Sequence, residues 1–328
     1  MHIINVENVS MVYRYYVDDN NKKCLLGRLG REKKEKLALK NMQFNIEEGD
    51  IVGYVGLNGA GKTTTIKILS GIIKPTLGEV TVLGFNPFEK KSEYLQQISL
   101  VMGSKSQLFW DLPVIDSIEF LKSIYNVSSR EYKKNLEMMV DTFNVGHLLG
   151  KQVRRLSLGE RMKMELIASL IHSPKMIFLD EPSIGLDIIS QKEIRKFLKT
   201  INHEWSSTIL LTSHNIDDIS EVCNKLMLID SGRMCFNGEI NDFEHLYGNK
   251  VIKLTVLNNM EHIISEIRRA ELVIVDMSEH QLTLEATEKG GLEKIQNIWN
   301  IFGQEIVDIS IENKDLKELI ENILRKKV

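Results

Sequence analysis

Gly56-Leu-Asn-Gly-Ala-Gly-Lys-Thr63 fits the pattern G-x-x-x-x-G-K-[ST]. The apolar run Ile51–Val55 before it reads as a buried strand, and Thr64 to Ser70 after it reads as the start of a helix. That strand–loop–helix context sets the pattern apart from an ordinary glycine-rich turn. Glycines let backbone N–H groups close around phosphate oxygens, and the helix N-terminus adds partial positive charge there. Lys62 can reach the β- and γ-phosphates of a nucleotide, and the Thr63 hydroxyl can hold Mg²⁺.

Outward from this loop the chain alternates strands and helices. Met176 to Leu179 and Thr208 to Thr212 are short apolar runs, with helical patterns at about 160–172 and 190–203. Alternation of this kind predicts a mostly parallel sheet covered by helices, an α/β class. Residues 1–13 and 37–47 alternate like strands, and 14–36, rich in Lys and Arg, reads as a long loop or inserted basic arm. Beyond residue 250 the order is strand, helix, strand, strand, helix, strand, followed by a helix with Leu316, Leu319, Ile320, Ile323 and Leu324 on one stripe. That order predicts a small α+β, ferredoxin-like unit at 250–328 after a first domain at 1–245. All five prolines lie at or before Pro182, a composition shift in keeping with two domains.

The composition narrows the class. The chain has 328 residues, 42 Lys plus Arg against 45 Asp plus Glu, and a net charge of −3. Bulk positive charge does not hold it on nucleic acid. Cys24, Cys223 and Cys235 lack metal-site spacing and fit a reducing compartment. No apolar run approaches the roughly 20 residues needed to cross a bilayer, and residues 1–10 lack the layout of a secretion signal. The expectation is a protein that is neither secreted nor membrane-spanning.

Two further segments carry chemistry. Met176 to Leu179 run into Asp180-Glu181-Pro182, which places carboxylates at the C-terminal end of a buried parallel strand, where α/β sheets bind ligands. Asp180 can act on the Mg²⁺ side and Glu181 can serve as general base toward a water. Leu156-Ser-Leu-Gly-Glu160 precedes a helix, so Ser157 and Gly159 present a hydroxyl and bare N–H groups at its N-terminus. Read by itself, that segment is an ordinary helix cap. A second anion site in one chain makes sense when it faces the nucleotide of a second subunit.

With these motifs in place the chain strongly resembles the nucleotide-binding subunits of ABC transporters over about residues 3–240. GLNGAGKTT (56–64) is similar to their Walker A motif, LSLGE (156–160) to the signature, and MIFLDEP (176–182) to Walker B. Ser183-Ile-Gly-Leu-Asp187 resembles the D-loop, and LLTSH, ending at His214, the switch-histidine strand. Leu158 and Glu160 stand where many members have Gly and Gln. The resemblance implies a P-loop NTPase core with a mixed sheet and a helical signature subdomain.

It also implies an ATPase that uses ATP and Mg²⁺. Two copies, or one copy and a homologous subunit, would sandwich two ATP molecules head to tail. The pair would drive a separate integral-membrane permease from the inner face of the cell membrane. Tyr13 stands where the family stacks an aromatic on adenine, with Tyr15 and Tyr16 as neighbouring competitors. Gly56, Asn58, Gly59, Ala60, Gly61, Lys62, Thr63 and Thr64 would hold the nucleotide. Ser157 and Gly159 would meet the partner's nucleotide, and Asp187 of the D-loop would also be nucleotide-binding. Glu181, His214 and Lys62 would be catalytic, and Thr63 and Asp180 would hold the metal.

The family's Gln after strand 98–102 is replaced by Ser104, with Gln107 three residues on. Either Ser104 acts through water or the loop rearranges so that Gln107 serves, and Gln107 is taken as the contributor. VMGSKSQLFWDLPVIDS (101–117) and LSLGERMK (156–163) resemble a bacterial exporter branch that serves drug, antibiotic, polysaccharide or lipid efflux. The alternative readings are a soluble ABC ATPase acting on ribosomes or DNA, and a P-loop kinase. The first usually needs two cassettes, coiled coils or zinc modules, and the second leaves LSLGE unexplained.

Overall fold

The structure is a computed structural model describing residues 2–18, 31–103, 105–247, 250–257, 260–269, 272–278, 280–286, 291–313 and 315–325. Ser104 and most of the basic arm, 19–30, lie outside the described residues. The chain divides into two compact units, Met1–Ile240 and Asn241–Val328.

The first unit opens with β1 (His2–Asp18) and β2 (Arg31–Glu47), an antiparallel pair. β3 (Ile51–Gly56) leads through the glycine loop to α1 (Lys62–Leu69). β4 (Leu77–Val82) returns to pair with β1, giving a three-stranded sheet of order β2-β1-β4. Then follow α2 (Ser92–Leu95), β5 (Ile98–Met102), α3 (Val114–Ile124), α4 (Ser129–Phe143) and α5 (Leu158–Leu170). β6 (Met176–Asp180), α6 (Ile188–Trp205), β7 (Thr208–Thr212), α7 (Ile216–Val222), β8 (Lys225–Asp230) and β9 (Arg233–Glu239) complete it.

The central sheet has order β5-β6-β7-β3-β8-β9, parallel except for β9. β3, β6 and β7 are buried at every residue. That is why they read as unbroken apolar runs rather than alternating ones: helices or the second sheet cover both faces. Their C-terminal ends, at Gly56, Asp180 and Thr212, lie side by side, since β7 stands between β6 and β3. Tyr54 anchors the core with no exposed surface, its hydroxyl hydrogen-bonded to Thr65 Oγ1 at 3.0 Å.

One expectation is corrected here. Residues 14–18 and 31–36 are not loop but the outer ends of β1 and β2, paired from Tyr13↔Lys36 to Asp18↔Arg31. Tyr13, Tyr15, Tyr16 and Val17 favour extended backbone, and Arg14 meets Glu35 across the strands at 3.0 Å. The charge density of the segment suggests a loop, but opposite charges paired across the strands hold it extended.

The second unit contains α8 (Ile240–Tyr247), of which Asn241 onward belongs to it, then β10 (Lys250–Val256), α9 (Met260–Arg269), β11 (Val273–Met277) and β12 (Gln281–Ala286). α10 (Gly291–Phe302), β13 (Ile306–Asn313) and α11 (Leu316–Arg325) follow. Its antiparallel sheet has order β11-β12-β10-β13, the ferredoxin-like arrangement. Ile252, Leu254 and Val256 of β10 point to one face and pack with Ile263 and Ile267 of α9 and Ile298 of α10.

Candidate active site

The site forms where β3, β6 and β7 end. After Gly56 the chain turns through Gly59 (φ 81°) and Gly61 (φ 114°), left-handed conformations that L side chains resist. A Cβ on Gly61 would also stand 2.9 Å from the Ala38 carbonyl, and one on Gly56 2.3 Å from the Ile229 carbonyl. Gly61 is the N-cap of α1, and no side chain caps that helix. Its first N–H groups therefore open onto a cavity of about 210 Å³.

Tyr13, Lys36, Asn58, Lys62, Thr63 and Glu181 are among the residues lining that cavity, with Ala38, Gly59, Gly61 and Thr64. Lys62 is buried, and its Nζ donates to the Gly56 carbonyl at 2.7 Å. Burial pushes its pKa down, partly opposed by the carboxylates of Glu181 and Asp180. Thr63 Oγ1 donates to Asp180 Oδ2 at 2.9 Å, and Thr212 Oγ1 donates to Asp180 Oδ1 at 2.8 Å. Tyr13 Oη lies 3.3 Å from Thr64 Oγ1, whereas Tyr15 and Tyr16 are exposed and do not line the cavity.

Glu181 is the first residue past β6 and adopts φ 56°. Its N–H reaches both the carbonyl and the hydroxyl of Thr212 at 3.1 Å. His214, two residues past the end of β7, brings Nε2 to 2.7 Å from Glu181 Oε1. Glu181 thus lines both the Lys62 cavity and the neighbouring one that His214 lines, and the carboxylate and imidazole meet there in an arrangement able to orient and deprotonate a water.

Residues 39–184 match the family model described as ABC transporter. An ABC transporter ATP-binding protein of Methanocaldococcus jannaschii is 30% identical over 241 residues, covering 74% of this chain and 85% of the relative. The bacitracin transport ATP-binding protein BcrA of Bacillus licheniformis is 31% identical over 64% of this chain and 66% of its own. The chain belongs to the ABC transporter ATP-binding subunits. In fold it is similar to a dimeric ATP-binding cassette solved in a post-hydrolysis state with ADP and phosphate, at TM-score 0.59 and 22% identity over 72% of this chain and 98% of that one. It is accordingly an ATPase that powers transport.

Within this ABC subunit the signature residues stand apart from the phosphate cavity. Ser157 N-caps α5: its Oγ accepts from Glu160 N–H at 3.2 Å, and its own N–H donates to Glu160 Oε2 at 2.8 Å. That bond holds the Glu160 carboxyl below the usual range. Gly159 is buried with its Cα face against α6; a Cβ there would lie 2.5 Å from Ser190 Oγ. Asp187 caps α6, accepting from Ser190 N–H at 2.9 Å. None of the three lines the cavity of Lys62.

Gln107 does not line this cavity either. Its side-chain amide donates to the Leu100 carbonyl at 3.1 Å, and its N–H donates to Glu165 of α5. Glu165 also accepts from Ser106 Oγ at 2.7 Å, and burial raises its pKa. The loop is thus tied to α5, and its Ser104 lies outside the described residues. Conversely, Lys36, at the end of the basic segment 14–36, lines the cavity. The signal that could have found it is cross-strand register: Lys36 pairs with Tyr13.

Proposed function

We propose that this subunit works as a head-to-tail pair, in which Ser157 and Gly159 of one copy close over the nucleotide held by Lys62 and Thr63 of the other. The observation that carries the proposal is that the signature residues stand outside the phosphate cavity of their own chain. Lys62 would bind the β- and γ-phosphates once it leaves the Gly56 carbonyl. Tyr13 would lie against the adenine. Glu181 would accept the proton of the attacking water, with His214 orienting that water and the γ-phosphate. Thr63 and Asp180 would hold magnesium.

The donor set suits that ion. Among the described residues no group of three or more His, Cys, Asp or Glu gathers to cage a metal. A hydroxyl and one carboxylate suit an ion that keeps several waters and takes substrate oxygens. Magnesium bound there supplies neutralising charge to the phosphates.

Transport would run through a separately encoded permease, with this subunit peripheral on the inner face of the membrane. No helix among the described residues is long and apolar enough to cross a bilayer. An apolar surface suited to a partner surrounds the loop after β5, where Phe109, Trp110, Phe120 and Ile124 are each at least 42% exposed. The likeness to a bacitracin transport protein supports export, and the unit at 250–328 would be an accessory domain. Against action on nucleic acid stands the net charge of −3.

Complementation tests the pairing. Lys62→Ala and Ser157→Ala chains would each be impaired alone, the second about tenfold, yet a mixture would exceed the average of its parts, because each mixed pair has one intact site. A mixture no more active than that average would refute the head-to-tail arrangement. Affinity capture from membranes of the source cell, with a polytopic protein recovered alongside, tests the permease.

A further inference from the structure

The loops that carry Glu181 and His214 leave different strands, yet their side chains meet at 2.7 Å. Glu181 does so from a left-handed backbone, φ 56°, which a non-glycine residue adopts at a cost and keeps only where its surroundings hold it. Upstream, Thr212 holds the Glu181 N–H. Downstream, the hold comes from α7.

Asp218 of α7 is 3% exposed. Its Oδ2 accepts from Ser183 Oγ, two residues past Glu181, and from Ser213 Oγ, the residue before His214, at 2.7 Å for the latter. Ser213 Oγ in turn accepts from Asn215 N–H at 3.0 Å, so one hydroxyl brackets His214 on both sides. The other carboxylate oxygen, Oδ1, accepts from Arg195 Nη1 of α6 at 2.9 Å, and Arg195 is itself 5% exposed. Arg195 Nε also lies 3.1 Å from Glu221 Oε2, an ion-pair contact without hydrogen-bond alignment.

A buried ion pair of this kind is weak as a source of stability, because desolvation offsets its attraction. What it does supply is fixed geometry. We propose that Asp218 is a positioning residue of the hydrolytic step. It pins Ser183 and Ser213 to one oxygen, sets the approach of Glu181 to His214, and is itself held in place by Arg195 at its other oxygen. The inference rests on Glu181 being the general base. Small displacements at a reacting centre are enough to matter, since an ångström of misplacement costs on the order of a hundredfold in rate.

The test uses the purified chain with Ser183→Ala and Ser213→Ala combined, which leaves Asp218 and Arg195 paired. Two lost hydrogen bonds of ordinary strength predict a fall in ATP turnover of about tenfold or more. The Kd for ADP should stay within about twofold, as expected of an interaction absent from ground-state binding. Ser183→Thr, which keeps the hydroxyl, should retain turnover. In a His214→Ala background the same pair of serine changes should have little further effect, whereas a merely structural role would lower both backgrounds equally.

If the combined variant fails to fold, the single variants decide the matter: a severalfold fall in turnover at unchanged ADP affinity supports the role. Unchanged turnover overturns it, as does an equal loss of ADP affinity. Glu181→Gln assayed alongside separates the two layers. Near-normal turnover there removes the general base itself, while an inactive Glu181→Gln beside fully active serine variants removes only Asp218.

Discussion

α1 and α5 both begin at a motif associated with phosphate, and they begin in opposite ways. α1 starts at Gly61, has no side-chain cap and no acidic residue in its first turn. Its N–H groups are left open to the cavity. α5 starts at Ser157 inside a reciprocal capping box with Glu160. The box takes the Ser157 and Glu160 N–H groups and puts a carboxylate in the first turn. An uncapped helix end leaves its first N–H groups to water or an anion, whereas a boxed one has two of them already taken by its own side chains. The difference separates a resident binding site from a surface that meets phosphate only when another molecule presents it. It also explains why the α5 motif, read by itself, looked like nothing more than a cap.

Uncoupling binding at α1 from chemistry should give the largest effect. Glu181→Gln is expected to bind ATP with near-normal affinity while turnover falls by roughly 10²-fold or more, because proton acceptance is lost. ATP would then stay on α1 long enough for α5 of a second copy to engage it, so size-exclusion chromatography with ATP should show a pair. Tight ATP binding with no change in size would break the comparison at its second half.

Ser157→Ala comes next. Loss of the cap should cost about 1 kcal/mol of stability. If α5 is only a boxed helix, turnover should be unaffected once folding is allowed for. If it closes on a partner's nucleotide, turnover should fall about tenfold at saturating ATP, with ATP binding to the single chain unchanged. Thermal melts alongside ATPase assays distinguish the two.

Much of this was legible because it is local. Ile51–Thr63 carries strand, turn and helix start in consecutive residues, and the apolar runs at 176–179 and 208–212 mark strands buried on both faces. What was not legible depends on pairing across the chain. Lys36 reaches the cavity because the hairpin register sets it opposite Tyr13, and the charge run around it pointed to a loop. Gln107 follows from the family's Gln position three residues before it, and its bonds to the Leu100 carbonyl and Glu165 of α5 depend on contacts that no local pattern shows. Asp218 gathers donors from three other segments, which no local pattern shows. Lys36→Met gives a direct measure of this kind of contact. It should raise the KM for ATP by about threefold to tenfold, as for one partly solvated charge contact, and leave kcat near normal.

Glu160→Gln is the smallest and most pointed change. The Glu160 carboxylate stabilises α5 from its first turn, where the helix N-terminus favours negative charge, and its hydrogen bond from Ser157 N–H holds its pKa down. Its stabilising effect is present above the ordinary carboxylate range and is lost as pH falls through the depressed value. Replacing it with Gln keeps the box geometry but removes the charge, at a cost of about 0.5 kcal/mol and with the acid-side loss abolished. The same charge opposes any phosphate brought to this end. At pH 7, ATP-driven pairing should therefore tighten by about twofold to fivefold as stability drops slightly. Sedimentation of the wild-type and Gln chains on the Glu181→Gln background measures the first, and a melt at pH 7 and pH 4 measures the second. If stability fell without any gain in pairing, α5 would be a closed cap and no more.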